Sequence, residues 1–99
     1  MEGHAVISHE VLASYAADAA LAVDGVHELV NGPRRPRGVR VSEDDRVTTV
    51  ELYLAVEWGA SAPEVACSVQ SRVADYLRRT ARLATVNVDV VVAGVPTAA

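Results

Sequence analysis

The segment from Val47 to Trp58 constrains the fold more than any other part of the chain. Its residues alternate between two sides, with apolar residues on one side (Val50, Leu52, Leu54, Val56 and Trp58) and mostly polar ones on the other (Thr49, Glu51, Tyr53, Ala55 and Glu57). Alternation of this kind indicates a strand with one buried face. A second segment, Thr85–Val92, alternates in the same way and carries valine at every second position from Val86 to Val92. The chain therefore predicts a sheet with one apolar face, which other elements must cover.

Two amphipathic helices are available to cover that face. Ser8 is placed to cap a helix over 9–24, and Gly25 follows it as a residue that can adopt positive φ. Ser61 and Glu64 match a capping box at the start of a second helix. Its apolar stripe consists of Val65, Val69, Val73, Tyr76 and Leu77.

Two shorter strands complete the pattern. They lie at 26–30 and 38–42, joined through an arginine-rich hairpin loop, and the second ends at an acidic turn over 43–45. The predicted order is αβββαβ, an α+β two-layer sandwich with both helices on one face of a mainly antiparallel sheet. We expect one domain over residues 1–99, with its core at about 4–95.

Composition limits the kind of protein that this chain can be. It has 99 residues, of which 51% are hydrophobic, a formal net charge of −4 and one cysteine, Cys67. The longest apolar run near the end, VVVAGV, is shorter than the ~20 residues of a membrane span, and no export signal is evident. A cytoplasmic protein without direct membrane insertion is predicted, and a pI near 5.2 argues against nucleic-acid binding.

The loop GPRRPRGV, residues 32–39, carries three arginines, Arg34, Arg35 and Arg37. Its two prolines favour an extended conformation, and no aromatic residues are interleaved on which bases could stack. The sequence favours a solvated loop, with contact to an acidic partner or to anionic lipid headgroups as the alternative.

No pattern of catalytic or metal-ligating residues is present. The three histidines are not spaced as metal ligands, and Glu51 and Glu57 are ~20 Å apart along one strand, too far for an acid/base pair. No glycine-rich loop precedes a helix, which excludes a phosphate cradle and a KH-type RNA clamp. We expect no catalytic residues, no cofactor and no metal.

Small or apolar residues on the outer sides of the helices are candidates for an interaction surface. They are Ala17 and Leu21 on the first helix, and Cys67 and Ala74 on the second. The alternative is that the helices lie side by side and bury these residues between them. Tyr53, Ala55 and Val91 form a second candidate patch on the uncovered sheet face, and a solvated face is its alternative.

Several motifs along the chain resemble those of one known family. They are ISHEV opening the first helix, AADAALAVDGV closing it, the strand VELYLAVEWG, the run EVACSVQSRV and the strand VNVDVVV. The chain is similar to the alkaline shock protein family, small cytoplasmic general-stress and envelope-stress proteins of Gram-positive bacteria. The resemblance spans about Gly3 to Val95. Two features depart from it, the sequence TARL over 80–83 and the lack of a charged tail.

The resemblance implies a structural or regulatory role near the membrane, without catalysis. We expect a non-enzymatic stress-response protein that acts as a scaffold, through self-association or a membrane-anchored partner. The alternative is a small-ligand or acyl-group carrier, which would need a pocket of a few hundred Å³ between helices and sheet.

Overall fold

A computed structural model describes residues 8–31, 38–83 and 85–94. Its elements run in the predicted order αβββαβ. They are α1 (His9–Leu21), β1 (Val26–Leu29), β2 (Val39–Asp44), β3 (Val47–Val56), α2 (Ala62–Thr80) and β4 (Thr85–Gly94). Both helices begin at the predicted caps, since the Ser8 and Ser61 hydroxyls accept from the Val11 and Glu64 amides at 3.2 and 3.4 Å.

β3 is the central strand of the sheet. β4 pairs with it in parallel from Val47 to Ala55, and therefore occupies one edge of β3 along almost its whole length. β1 and β2 both pair with β3 antiparallel, β2 with residues 47–52 and β1 with residues 54–56. They must share the other edge of β3, end to end. The sheet is mainly antiparallel, as predicted, with β4 as its parallel member.

This arrangement corrects the predicted hairpin between β1 and β2. The two strands do not pair with each other, and both lie on the same edge of β3. Val30 still donates to the Tyr53 carbonyl at 3.0 Å, and Val39 is already opposite Leu52. Val30 and Val39 therefore contact neighbouring residues of β3, which sequence periodicity alone cannot show.

The acidic segment leads into a hairpin between β2 and β3, but the turn predicted over 43–45 is shifted, because Glu43 and Asp44 belong to β2. Asp44 pairs with Val47, and the two linking residues, Asp45 and Arg46, have φ of 51° and 69°. Positive φ at both positions is the type I′ geometry that matches strand twist in two-residue hairpins.

The core lies between the helices and one face of the sheet. Both helices pack on this face. Tyr15 on α1 and Tyr76 on α2 contact each other edge to face, with their ring centroids 6.0 Å apart. The fully buried large side chains are Val50, Leu52, Leu54, Val56, Val69, Val73 and Leu77. The predicted apolar faces of β3 and α2 are confirmed.

The strands differ from their predicted bounds by one or two residues, and the ends of α1 and β3 have structural consequences. α1 ends at Leu21 rather than residue 24, and a separate turn follows in which Val26 donates to the Val23 carbonyl and Gly25 has φ +96°. Trp58 is 70% exposed and does not join the apolar face, because β3 ends at Val56 and the alternation stops there.

Candidate functional site

The helix residues predicted as an interaction surface divide into two groups. Ala17 and Ala74 are half-buried and pack against the core. Leu21 is 49% exposed, and Cys67 is exposed as well. Half of the set is therefore partly covered, and Leu21 and Cys67 remain at the surface.

Cys67 and Ala74 line a groove between α2 and β4. The groove has a volume of about 380 Å³, and its walls are the outer flank of α2 and the start of β4. Its lining residues are Cys67, Gln70, Ser71, Ala74, Asp75, Arg78, Val86, Asn87 and Val88. The Gln70 side-chain amide crosses it and donates to the Val88 carbonyl at 3.1 Å.

Sequence analysis did not anticipate this groove, although a signal for it was present. A 19-residue helix joins two long alternating strands, and parallel neighbours require such a crossover connection. Recognising the crossover would have placed β4 beside β3 in parallel, with α2 above them.

A second groove of about 320 Å³ lies at the start of α2. It is lined by Asp24, Gly25, Ala60, Ser61, Glu64, Val65 and Ser68. Both grooves have the volume that the ligand-carrier alternative requires. Neither has the required position, because the space between helices and sheet is filled by buried side chains.

The helix-free face of the sheet brings together part of the second candidate patch. Tyr53 lies directly opposite Val91 across the β3–β4 pair; Tyr53 is half-buried and Val91 is 42% exposed. Ala55, two residues further along the same face, is only 5% exposed. The exposed apolar surface here is therefore smaller than predicted, and Val91 is its exposed member.

A polar row crosses the same face beside the patch. Glu51 is opposite Arg40 on one side and opposite Asp89 on the other. The acidic pair therefore has a cation in the same row, as expected for a surface ion-pair arrangement.

The arginines of the loop, Arg34, Arg35 and Arg37, lie outside the described residues. Gly38, where the described chain resumes, is buried with φ +76°. A Cβ on Gly38 would stand 2.7 Å from the Val30 carbonyl oxygen and 2.9 Å from that of Tyr53. The end of the loop is thus pressed against the sheet edge at a point where only glycine fits.

Ion pairs between titratable groups of the described residues lie at the surface. His27 Nδ1 is 3.0 Å from Glu57 Oε2, with both side chains about half exposed, and Arg78 is 3.6 Å from Asp75. Within residues 8–31, 38–83 and 85–94, no three His, Cys, Asp or Glu side chains are grouped as metal ligands. In the same ranges, neither helix is long and apolar enough to cross a membrane.

Comparison with known proteins identifies relatives over almost the whole chain. The uncharacterized protein YloU of Bacillus subtilis strain 168 is 30% identical over 106 residues, covering 94% of this chain and 88% of that protein. YqhY of the same organism is 29% identical over 104 residues, covering 94% and 77%. Neither relative is described as an enzyme.

Solved structures share the fold at low sequence identity. A variant of the MamM CTD has a TM-score of 0.64 at 16% identity, covering 91% of this chain and 100% of that one. Another variant of the MamM CTD, described as a zinc form, has a TM-score of 0.57 at 19% identity and covers 84% of each chain. At this identity the likeness concerns the fold alone.

The profile of one protein family, described as having a cell envelope-related function, matches residues 1–97. This match and the two relatives show that the chain belongs to the alkaline shock protein 23 family.

Proposed function

We propose that this chain is a non-enzymatic scaffold of the cell envelope stress response, working as a single domain on the cytoplasmic side of the membrane. It acts by associating with itself, and reaches the envelope through a membrane-anchored partner. The family's cell envelope-related function supports this proposal.

The observation that carries self-association is the apolar surface left outside the core. Val91 on β4 is 42% exposed, and it is among the residues predicted to form an interaction surface. Exposed apolar residues that are clustered and rimmed by polar ones mark contact sites on soluble proteins. Val91 has such a polar rim, because Asp89 lies two residues before it on the same sheet face and Glu51 lies opposite Asp89.

Sedimentation velocity over a wide concentration range tests self-association. The monomer has a mass of 10.5 kDa, and we expect reversible species of twice that mass or more as concentration rises. A protein that sediments as a 10.5 kDa monomer at every concentration would contradict self-association.

Fractionation of the native cells tests whether the chain reaches the envelope through a membrane-anchored partner. We expect the chain to be recovered with membranes and to be released by washing that leaves integral proteins in place. Recovery entirely in the soluble fraction, with or without envelope stress, would count against a membrane-anchored partner.

A further inference from the structure

Within the described residues, β4 forms an edge of the sheet. It pairs with β3 on one side only, and it runs for ten residues, of which Thr85 to Val92 pair in regular register. Natural edge strands avoid pairing with other molecules by being short, or by carrying lysine, proline or inward-pointing charge. β4 contains no proline or basic residue, and Asp89 is its single charged side chain. Its edge is therefore suited to pairing with another strand.

The contact between Gln70 and Val88 indicates which backbone groups lie on that edge. The Val88 carbonyl accepts from a side chain on the outer flank of α2 at 3.1 Å, which places it on the side of β4 away from β3. Backbone groups of alternate residues point to the same side of a strand, so Val86 and Val90 also face this edge. A carbonyl oxygen accepts two hydrogen bonds, and Gln70 therefore leaves Val88 able to accept one more.

The flank of α2 beside this edge has small side chains between opposite charges. Ser71 and Arg78 line the groove, and Glu64 lies on the same stripe of the helix because the three residues are spaced by seven. Cys67 and Ala74 lie between them. Of these five residues, Ala74 is half-buried and the other four are exposed. Among the ion pairs of the described residues, Arg78 takes part in one, with the exposed Asp75 at 3.6 Å.

We propose that this edge and flank bind a second copy of the chain, with the two β4 strands antiparallel about a two-fold axis near Val88 and Ser71. The inference rests on the proposed function, since it names the surface through which self-association occurs. It narrows the candidate residues to the α2 and β4 side and leaves Leu21 outside the interface.

The charge pattern of β4 selects this axis. With Val88 opposite Val88 of the second copy, Asp89 lies opposite Asn87 of the second copy, and Val86 lies opposite Val90 of the second copy. An axis at Asp89 would instead place two carboxylates directly opposite each other, which destabilises a strand pair. The edge-facing groups of Val86, Val88 and Val90 exchange hydrogen bonds in this register.

The charge pattern of α2 selects the same axis independently. Glu64 and Arg78 are each seven residues from Ser71, or ~10 Å along the helix in opposite directions. Antiparallel packing about Ser71 therefore brings Glu64 to Arg78 of the second copy, and this pair occurs twice in the dimer. Because Gln70 ties this part of α2 to Val88, the two registers coincide.

Exchange of charge between two variants tests the interface. Glu64→Arg and Arg78→Glu each place like charges opposite each other twice in a homodimer, and we expect each to weaken association about tenfold. An equimolar mixture of the two variants restores both pairs in the heterodimer, so it should associate as strongly as the wild type. A change in monomer folding cannot produce this restoration. Two substitutions at exposed positions are the controls and should leave association unchanged. They are Arg72→Glu, about 100° around α2 from Ser71, and Leu21→Glu on α1.

Amide hydrogen exchange of the wild-type protein tests the strand pairing directly. At concentrations where the dimer forms, the Val86, Val88 and Val90 amides should exchange at least tenfold more slowly than in the monomer. The Asn87 and Asp89 amides, which face β3, should change little and serve as the internal reference.

The outcomes separate this inference from the proposed function. A wild type that associates, with variants that weaken association singly and restore it when mixed, supports both. A wild type that associates while the charge variants have no effect, or the β4 amides gain no protection, overturns the interface and leaves self-association standing. A monomer at every concentration overturns both.

Discussion

Gly25 lies where the turn after α1 passes closest to α2, and replacing it tests how that packing is built. Its φ is +96°, and a Cβ placed there would stand 2.5 Å from Val65 Cγ2. Gly59 provides the matched control, because its φ is +87° and a Cβ there meets nothing within 4 Å. Gly59→Ala therefore carries the backbone cost alone, whereas Gly25→Ala adds a steric clash.

The expected magnitudes follow from these two terms. A left-handed conformation costs a non-glycine residue about 1–2 kcal/mol. Val65 is buried on the core side of α2, so forcing it aside costs about 1–3 kcal/mol more. We expect Gly59→Ala to lower the free energy of unfolding by about 1–2 kcal/mol, and Gly25→Ala by about 2–5 kcal/mol.

Urea denaturation, followed by circular dichroism at a concentration where the protein is monomeric, measures both changes. The midpoints should shift while the slopes stay equal, since the variants differ in stability and not in the surface exposed on unfolding. A double-mutant cycle with Val65→Ala isolates the clash. Because Val65→Ala removes Cγ2, the loss of unfolding free energy caused by Gly25→Ala should be about 1–3 kcal/mol smaller in the Val65→Ala protein than in the wild type. Equal costs for Gly25→Ala and Gly59→Ala, or no coupling to Val65→Ala, would refute the close-approach argument.

Three further predictions concern the core, the hairpin and the tryptophan. Leu77→Ala removes a fully buried side chain and should lower the free energy of unfolding by about 2–5 kcal/mol, and a loss under 1 kcal/mol in denaturant would show that the site is not packed as described. Arg46→Gly relieves a positive φ of 69° in the β2–β3 turn and should raise stability by up to ~1 kcal/mol, seen as a higher thermal midpoint; a lower midpoint would contradict the type I′ geometry. Trp58 is 70% exposed, so acrylamide should quench its fluorescence almost as efficiently as that of a free indole, and strong protection in the monomer would place the ring elsewhere.

Much of the fold could be predicted because its local signals do not conflict. Ser8 and Ser61 are good N-cap residues, and the structure shows each hydroxyl accepting an amide of the first turn. The predicted end of α1 was wrong because Gly25 can terminate a helix or occupy a later turn, and the close approach to Val65 decides between the two.

The candidate site could be predicted only in part. The exposure of Cys67 follows from its angle on α2, and Ala74, which lines the groove beside β4, is half-buried because it packs against the core. The edge of β4 and the contact of Gln70 with Val88 were not anticipated, since both depend on which strands are neighbours. Strand periodicity defines a buried face and carries no information on the order of the strands.

The sequence by itself determined the elements and their faces. Alternation in β3 and β4 and the stripe of α2 specify which side chains are buried, because each helix and strand must turn its apolar side away from water. Only the tertiary structure decided that β1 and β2 share one edge of β3 while β4 takes the other. That choice depends on contacts between residues distant in sequence, which local patterns do not encode, and it creates the edge and groove on which the proposed assembly depends.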